Sequence, residues 1–154
     1  MYKRQLTLSR VYRRVLERRK QILSTLAEEI DFTWQYYTLQ KIRFDDRIEL
    51  TSAIDPALRN WRIPSMSLQT LVENAVKHNS ITGGNPLHIR IRTEGESFLI
   101  ENNYTPRSDG DKESLGMGLE RIRSVYRFYT EENISISVGA GTFRCRLPLL
   151  PPEK

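Results

Sequence analysis

Between residues 64 and 79 the chain carries an apolar pattern that a helix satisfies. Leu68, Leu71, Val72, Ala75 and Val76 recur at three- and four-residue intervals, so an α-helix gathers them into one stripe. Thr70, Glu73, Asn74 and Lys77 then fall on the other side. A helix of this kind has to bury its stripe against another layer. Once buried, it presents an amide, a carboxylate and an ammonium at one surface. Those groups suit a metal ion and phosphates.

The remainder of the chain supplies the other layer. Residues 5–24 carry Leu8, Val11, Tyr12, Val15, Leu16, Ile22 and Leu23 at helical spacing, and Thr25 with Glu28 makes a capping box for a second helix over about 26–43. Arg47 to Ser52 alternates as a strand, and Asp55-Pro56 opens a short turn. After the striped helix, Gly83-Gly84-Asn85-Pro86 reads as a loop. Leu87, Ile89 and Ile91 alternate with charged residues, Glu94-Gly95-Glu96 turns the chain, and Phe98-Leu99-Ile100 is a buried strand. Residues 103–115 show no periodicity and predict a long functional loop. Leu119, Ile122, Tyr126 and Tyr129 mark another helix. Two strands end the fold, one with Ile134, Ile136 and Val138, the other with Phe143, Cys145 and Leu147, joined by Gly139-Ala140-Gly141. The expected class is α+β: a two-layer α/β sandwich with a mixed, mainly antiparallel sheet, helices on one face and further helices in front.

Bulk properties exclude several classes. A chain of 154 residues with 38% hydrophobic content makes one ordinary domain with a modest extension. No apolar run approaches the roughly 20 residues that span a bilayer, and no signal peptide opens the chain. The lone Cys145 rules out an internal disulfide and fits a reducing compartment. Its place in an alternating strand predicts a buried, inert thiol. Residues 1–20 hold eight basic side chains against Glu17 alone, a net of +7, so the rest sums to −2 within the total of +5. Such a helix can bind nucleic acid, form a solvated face or meet a partner helix. Without aromatic interleaving or a DNA-reading motif, no nucleic acid is expected.

Three motifs carry a family resemblance. Glu73-Asn74-Ala75-Val76-Lys77-His78 resembles the N-box of histidine kinases in the wording of LytS-like sensor kinases. Gly116-Met117-Gly118-Leu119-Glu120-Arg121 resembles their glycine box, and Gly139-Ala140-Gly141-Thr142-Phe143 their last glycine box. The run Tyr36-Tyr37-Thr38-Leu39-Gln40-Lys41-Ile42-Arg43-Phe44 is similar to the segment joining dimerisation helices to the ATP-binding domain. The resemblance implies the Bergerat (HATPase) fold. It places a second dimerisation-type helix and linker helix in residues 1–44, the ATP-binding catalytic domain in 45–150 and a tail in 151–154. The implied ligands are ATP and Mg²⁺, with Asn74 holding the metal. Lys77, His78, Asn102, Gly116, Gly118, Leu119 and Thr142 join Asn74 around the nucleotide.

Glu73 either orients a metal-bound water or pairs with Lys77 four residues on. Thr70 stands where the hydrolytic relatives of this fold keep a glutamate base, and a hydroxyl cannot take up a proton near neutral pH. Gly116 and Gly118 are expected at a loop-to-helix junction, where glycines let backbone N–H groups approach phosphates. Arg123 matches an arginine expected to support the lid. Adenine recognition departs from pattern: where the family carries Asp-x-Gly, this chain has Asn102-Asn103-Tyr104. A neutral amide can accept the adenine amino group, more weakly than a carboxylate.

The two histidines, His78 and His88, lie in no H-box, and the upstream acceptor motif is absent. The chain is therefore expected to be a C-terminal piece of a kinase. The whole kinase would form a homodimer and transfer the γ-phosphoryl group of ATP to a histidine outside this piece, and from there to a response regulator. The implied location is the cytoplasmic portion of an inner-membrane sensor. Two alternatives share the fold: a serine kinase of the anti-sigma-factor type, and a degenerate, non-catalytic dimerisation module.

Overall fold

The computed structural model describes residues 10, 22–107 and 112–153. The helix read over residues 5–24 lies almost wholly outside these, and its last part is corrected. Leu23–Thr25 is an extended strand, β1, paired antiparallel with β3 (Arg62–Pro64) in the register Leu23 to Pro64. The Ser24 and Ser65 hydroxyls meet at 2.7 Å, and the Ser65 N–H donates to the Ile22 carbonyl at 2.9 Å. Long-range backbone pairing overrides the local helical spacing here.

Thr25 starts α1 (Leu26–Phe44) as its sequence requires. Its hydroxyl oxygen accepts from the Glu28 N–H at 3.2 Å, and the hydroxyl donates to the Glu28 carboxylate at 3.0 Å. Leu26 and Phe32 are fully buried, and the Tyr37 hydroxyl donates to the Ile48 carbonyl at 3.2 Å.

The main sheet holds β2 (Ile48–Ala53), β4 (Leu87–Glu94), β5 (Ser97–Asn103), β6 (Ser135–Gly139) and β7 (Thr142–Pro148), in the spatial order β2-β4-β5-β7-β6. β2 and β4 are parallel, joined by a crossover that contains β3 and α2 (Ser67–His78). The other pairings are antiparallel. Between β5 and β6 the chain crosses back through α3 (Lys112–Tyr129). The expected two-layer α+β sandwich is therefore the observed one.

Alternation along the strands decides where the core sits. On the inner face, Leu50, Ile89, Asn102 and Phe143 form one cross-strand row, and Ile91, Ile100, Cys145 and Ile136 the next. Leu68, Leu71 and Val72 of α2 pack in the same core with Leu119, Ile122 and Tyr126 of α3. Each such side chain contributes roughly 1.5–3 kcal/mol by burial. The outer face is charged instead: Arg92 pairs with Glu101 and Arg146 with Glu94, each at 2.8 Å. Asn102 is a buried polar residue on this inner face, at 5% exposure.

One boundary differs from the sequence reading. β5 runs to Asn103 and α3 begins at Lys112, so the loop expected over residues 103–115 loses Asn103 to the strand and residues 112–115 to the helix. Residues 108–111 of it lie outside the described residues. Gly116 and Gly118 consequently stand inside a helix and not at its start. Glycine in a helix interior costs about 1 kcal/mol relative to alanine. The packing of Leu119, Ile122 and Tyr126 outweighs that.

Candidate functional site

The site forms where the C-terminal half of α2 meets the ends of β5 and β7. A cavity of about 20 Å³ opens there, walled by Leu71, Asn74, Ala75 and His78 of α2, by Asn79 just beyond, and by Asn102, Tyr104 and Phe143 from the strands. It has room for one water and not for a purine.

Both ends of α2 are fastened. At its start, Met66 sits in the left-handed region at φ 72°, and its N–H donates to Glu29 Oε1 of α1 at 2.6 Å. Glu29 is fully buried. Its carboxylate lies at a helix N-terminus, where the backbone dipole favours negative charge. At the other end, Asn79 Nδ2 donates to the Ala75 carbonyl at 2.8 Å, and Asn79 Oδ1 accepts from the Thr105 N–H at 2.7 Å. The Arg107 N–H donates to the His78 carbonyl at 3.1 Å. The chain leaving β5 is thus stapled to the end of the helix.

Asn103 shapes the same corner from below. The paired register of β4 and β5 ends at Ile89 and Asn102. Beyond it the Asn103 side chain takes over, accepting from the His88 N–H at 2.7 Å and donating to the Pro86 carbonyl at 2.8 Å. The next residue, Tyr104, is held by its N–H to the Gly141 carbonyl at 2.8 Å. Its ring stands 6.1 Å from the ring of Phe143, tilted by 44°. Asn102 Nδ2 is engaged with the Asn103 carbonyl at 2.8 Å, leaving Oδ1 as the acceptor end of that amide.

α3 covers the other side of Asn74. A β-carbon built on Gly118 would lie 2.9 Å from Thr70 Cγ2 and 3.9 Å from Asn74 Nδ2. The Arg121 guanidinium ties the helices together, donating to the Ser65 carbonyl at 3.1 Å and to the Thr70 hydroxyl at 3.3 Å. This cross-link belongs to Arg121, two residues before the arginine singled out from sequence. Asn74 Nδ2 is buried and has no hydrogen-bond partner among the described residues.

Lys77 is exposed on α2, one turn beyond Glu73, which is also exposed. Glu73 stands toward α1. Burial first, and then the Glu73 charge, raises the Tyr36 hydroxyl well above the usual tyrosine range. His78 is 9% exposed in the cavity wall. Leu119 is a core residue, while Gly116 is exposed, and a β-carbon added to it would have nothing within 4 Å. Thr142 pairs with Asn103 and alternates with Phe143, so strand geometry sends it to the outer face, away from the cavity. Glu29, Asn79, Asn103 and Arg121 hold the site without having been singled out as site residues. The side-chain amides Asn79 and Asn103 did carry a signal, since each sits at an element end where such groups replace backbone partners.

The architecture is the catalytic-domain fold of histidine kinases. A nucleotide-free catalytic domain of the histidine kinase ThkA superposes with a TM-score of 0.58 over 84% of this chain and 97% of that one, at 16% identity. The cytoplasmic segment of histidine kinase QseC gives 0.57 over 84% and 79%, at 12% identity. In sequence, the family model described as histidine kinase matches residues 2–48. Sensor histidine kinase BtsS of Escherichia coli (strain K12) is 33% identical over 137 residues, covering 84% of this chain and 24% of the relative. Sensor histidine kinase YesM of Bacillus subtilis (strain 168) is 31% identical over 128 residues, covering 78% and 21%. The chain belongs to the sensor histidine kinases. It spans about a quarter of the length of these relatives. Among the described residues no helix is long and apolar enough to cross a membrane.

Proposed function

We propose that this domain binds ATP with Mg²⁺ between α2, the ends of β5 and β7, and the first turns of α3. In this reading it donates the γ-phosphoryl group to a histidine on a dimerisation helix of a homodimeric kinase, from which a response regulator takes it. The domain would work on the cytoplasmic side of the membrane. The observation that carries the reading is Asn74: a buried amide nitrogen with no partner among the described residues, beside Gly118 of α3. Buried polar groups are almost always paired. A half-turn of the amide exchanges its two ends, so the same position can offer the carbonyl oxygen that a hard cation takes. Bound there, Mg²⁺ supplies neutralisation of phosphate charge.

The other groups divide the remaining tasks. Lys77, one turn from Asn74, is within reach of a phosphate oxygen as a point charge. Asn102 Oδ1 accepts from the adenine amino group. Glu73 is the exposed carboxylate on the same helix, available to orient water or to take a proton. His78 is nearly enclosed in the cavity wall. His88 is on the outer face, 3.0 Å from Glu49. Both are poorly placed as phosphoryl acceptors, which supports an acceptor elsewhere. A non-catalytic module of the same fold is the second reading, favoured by the small cavity. Titration with a ribose-labelled fluorescent ATP, with and without Mg²⁺, separates the two. Wild type should bind with Mg²⁺ dependence and Asn74→Ala should lose that dependence; equal Mg²⁺ dependence in both proteins rules out the metal assignment.

A further inference from the structure

The cavity meant for the base has room for a single water, yet its walls are otherwise suited to a purine. Asn102 offers an acceptor from the floor, and Phe143 and Leu71 offer flat and aliphatic surface. Tyr104 lines this space, its ring set 6.1 Å from that of Phe143. Its backbone cannot be the moving part. The Tyr104 N–H is bonded to the Gly141 carbonyl at 2.8 Å, the preceding Asn103 side chain is clamped at both its amide ends, and the following Thr105 N–H is bonded to Asn79 at 2.7 Å. Three consecutive residues are therefore anchored on three different elements. Only the side-chain torsions of Tyr104 remain. The ring is half-buried, and its tilted 6.1 Å contact with Phe143 is an ordinary aromatic pairing. Rotating the ring away gives up that contact and leaves the anchored backbone in place.

We propose that Tyr104 is a side-chain gate and the specificity-determining residue of the nucleotide site: its ring rests against Phe143 and must swing out before a purine enters. The inference rests on the ATP-binding reading and deepens it. The gate lowers affinity, because only the open fraction binds. It also limits what can project from the base edge beside Asn102, because the swung ring still occupies the mouth of the cavity.

Tyr104→Ala removes the ring and keeps the backbone N–H that anchors the strand end. Tyr104→Phe keeps the ring and serves as control. The probes are ribose-labelled ATP, followed by stopped-flow fluorescence, and unlabelled ATP and N6-benzyl-ATP as competitors, with circular dichroism to confirm folding. The alanine variant should associate faster and bind ATP about tenfold more tightly, the gain expected when an open fraction near 10% becomes the whole population. It should also admit N6-benzyl-ATP, which wild type and Tyr104→Phe exclude. Weaker ATP binding by a folded Tyr104→Ala would make the ring a stacking platform and overturn the gate, as would unchanged binding of both competitors. Failure of wild type and both variants to bind any nucleotide would instead overturn the ATP reading, and the gate with it.

Discussion

Gly118 and Thr70 face each other across the two site helices: a β-carbon on the glycine would stand 2.9 Å from the threonine methyl, nearer than real side chains pack. The glycine is therefore fixed by its neighbour as well as by anything the backbone does for a phosphate. Alanine at this position gains about 1 kcal/mol of helix propensity. Against that stands overpacking of about 1–3 kcal/mol. Gly118→Ala should lower stability to urea by about 1 kcal/mol, the balance of those two effects. Thr70→Ser removes the offending methyl and keeps the hydroxyl that Arg121 uses, so in that background Gly118→Ala should become stabilising. The same sign in both backgrounds would mean that the helices do not pack this way.

Asn102→Asp exchanges a donor for a charge. The amide nitrogen now donates to the Asn103 carbonyl at 2.8 Å, and a carboxylate oxygen there would face the carbonyl without a proton between them. The empty variant should melt lower, consistent with a loss of about 1–3 kcal/mol for a buried polar group left unpaired. The remaining oxygen is a stronger acceptor for an adenine amino group. Saturating ATP and Mg²⁺ should therefore raise its melting temperature by more than they raise that of wild type. An equal or smaller shift would remove Asn102 from base recognition.

Cys145 is fully buried, and burial pushes its thiol up to about 12 from the usual 9.0. The folded state thus favours the neutral thiol. That contribution to stability is complete below about pH 9 and is lost as pH rises toward 12. Burial raises the hydroxyls of Tyr36 and Tyr126 in the same direction. Stability to denaturant should fall steadily above about pH 9, and a thiol reagent at about pH 8 should label Cys145 only as fast as the protein unfolds. Rapid labelling of the native protein would contradict the burial.

Neither histidine of this chain should accept phosphate. Incubation with γ-labelled ATP should leave no acid-labile label on the chain by itself. A dimerisation segment bearing an acceptor histidine, supplied in trans or as the full-length kinase, should acquire it. Acid-labile label on this chain would make His78 or His88 an acceptor, and acid-stable label on a partner protein would favour serine transfer.

Much of the sheet and its helices was legible because the signals were local and periodic. Thr25 with Glu28 marked the start of α1, and the alternation at Leu87, Ile89 and Ile91 gave the inner face of β4. The stripe from Leu68 to Val76 gave the buried side of α2. What was not legible depended on partners distant in sequence. Leu23 has helical spacing with its upstream neighbours, and only the strand containing Pro64 turns it into β1. The start of α3 was hidden because Gly116 and Gly118 read as loop residues until Thr70 is seen against one of them. The cavity residues Asn102 and Tyr104 were identified by position. That the Tyr104 ring stands beside Phe143 depends on the pairing of β5 with β7, strands distant in sequence whose register no local pattern announces.

The small two-stranded pairing of β1 with β3 couples distant parts of the molecule mechanically. β1 runs directly into α1, and β3 runs, through Ser65 and the Met66 bond to Glu29, directly into α2. The Arg62 N–H and carbonyl, each bonded to Leu150, bring in the chain after the last strand as well. From Leu23 to the first turn of the helix that carries Asn74 there is consequently an unbroken route of hydrogen bonds. The strand pair is a junction in this sense: the start of α1, the start of α2 and the chain after β7 share one set of bonds.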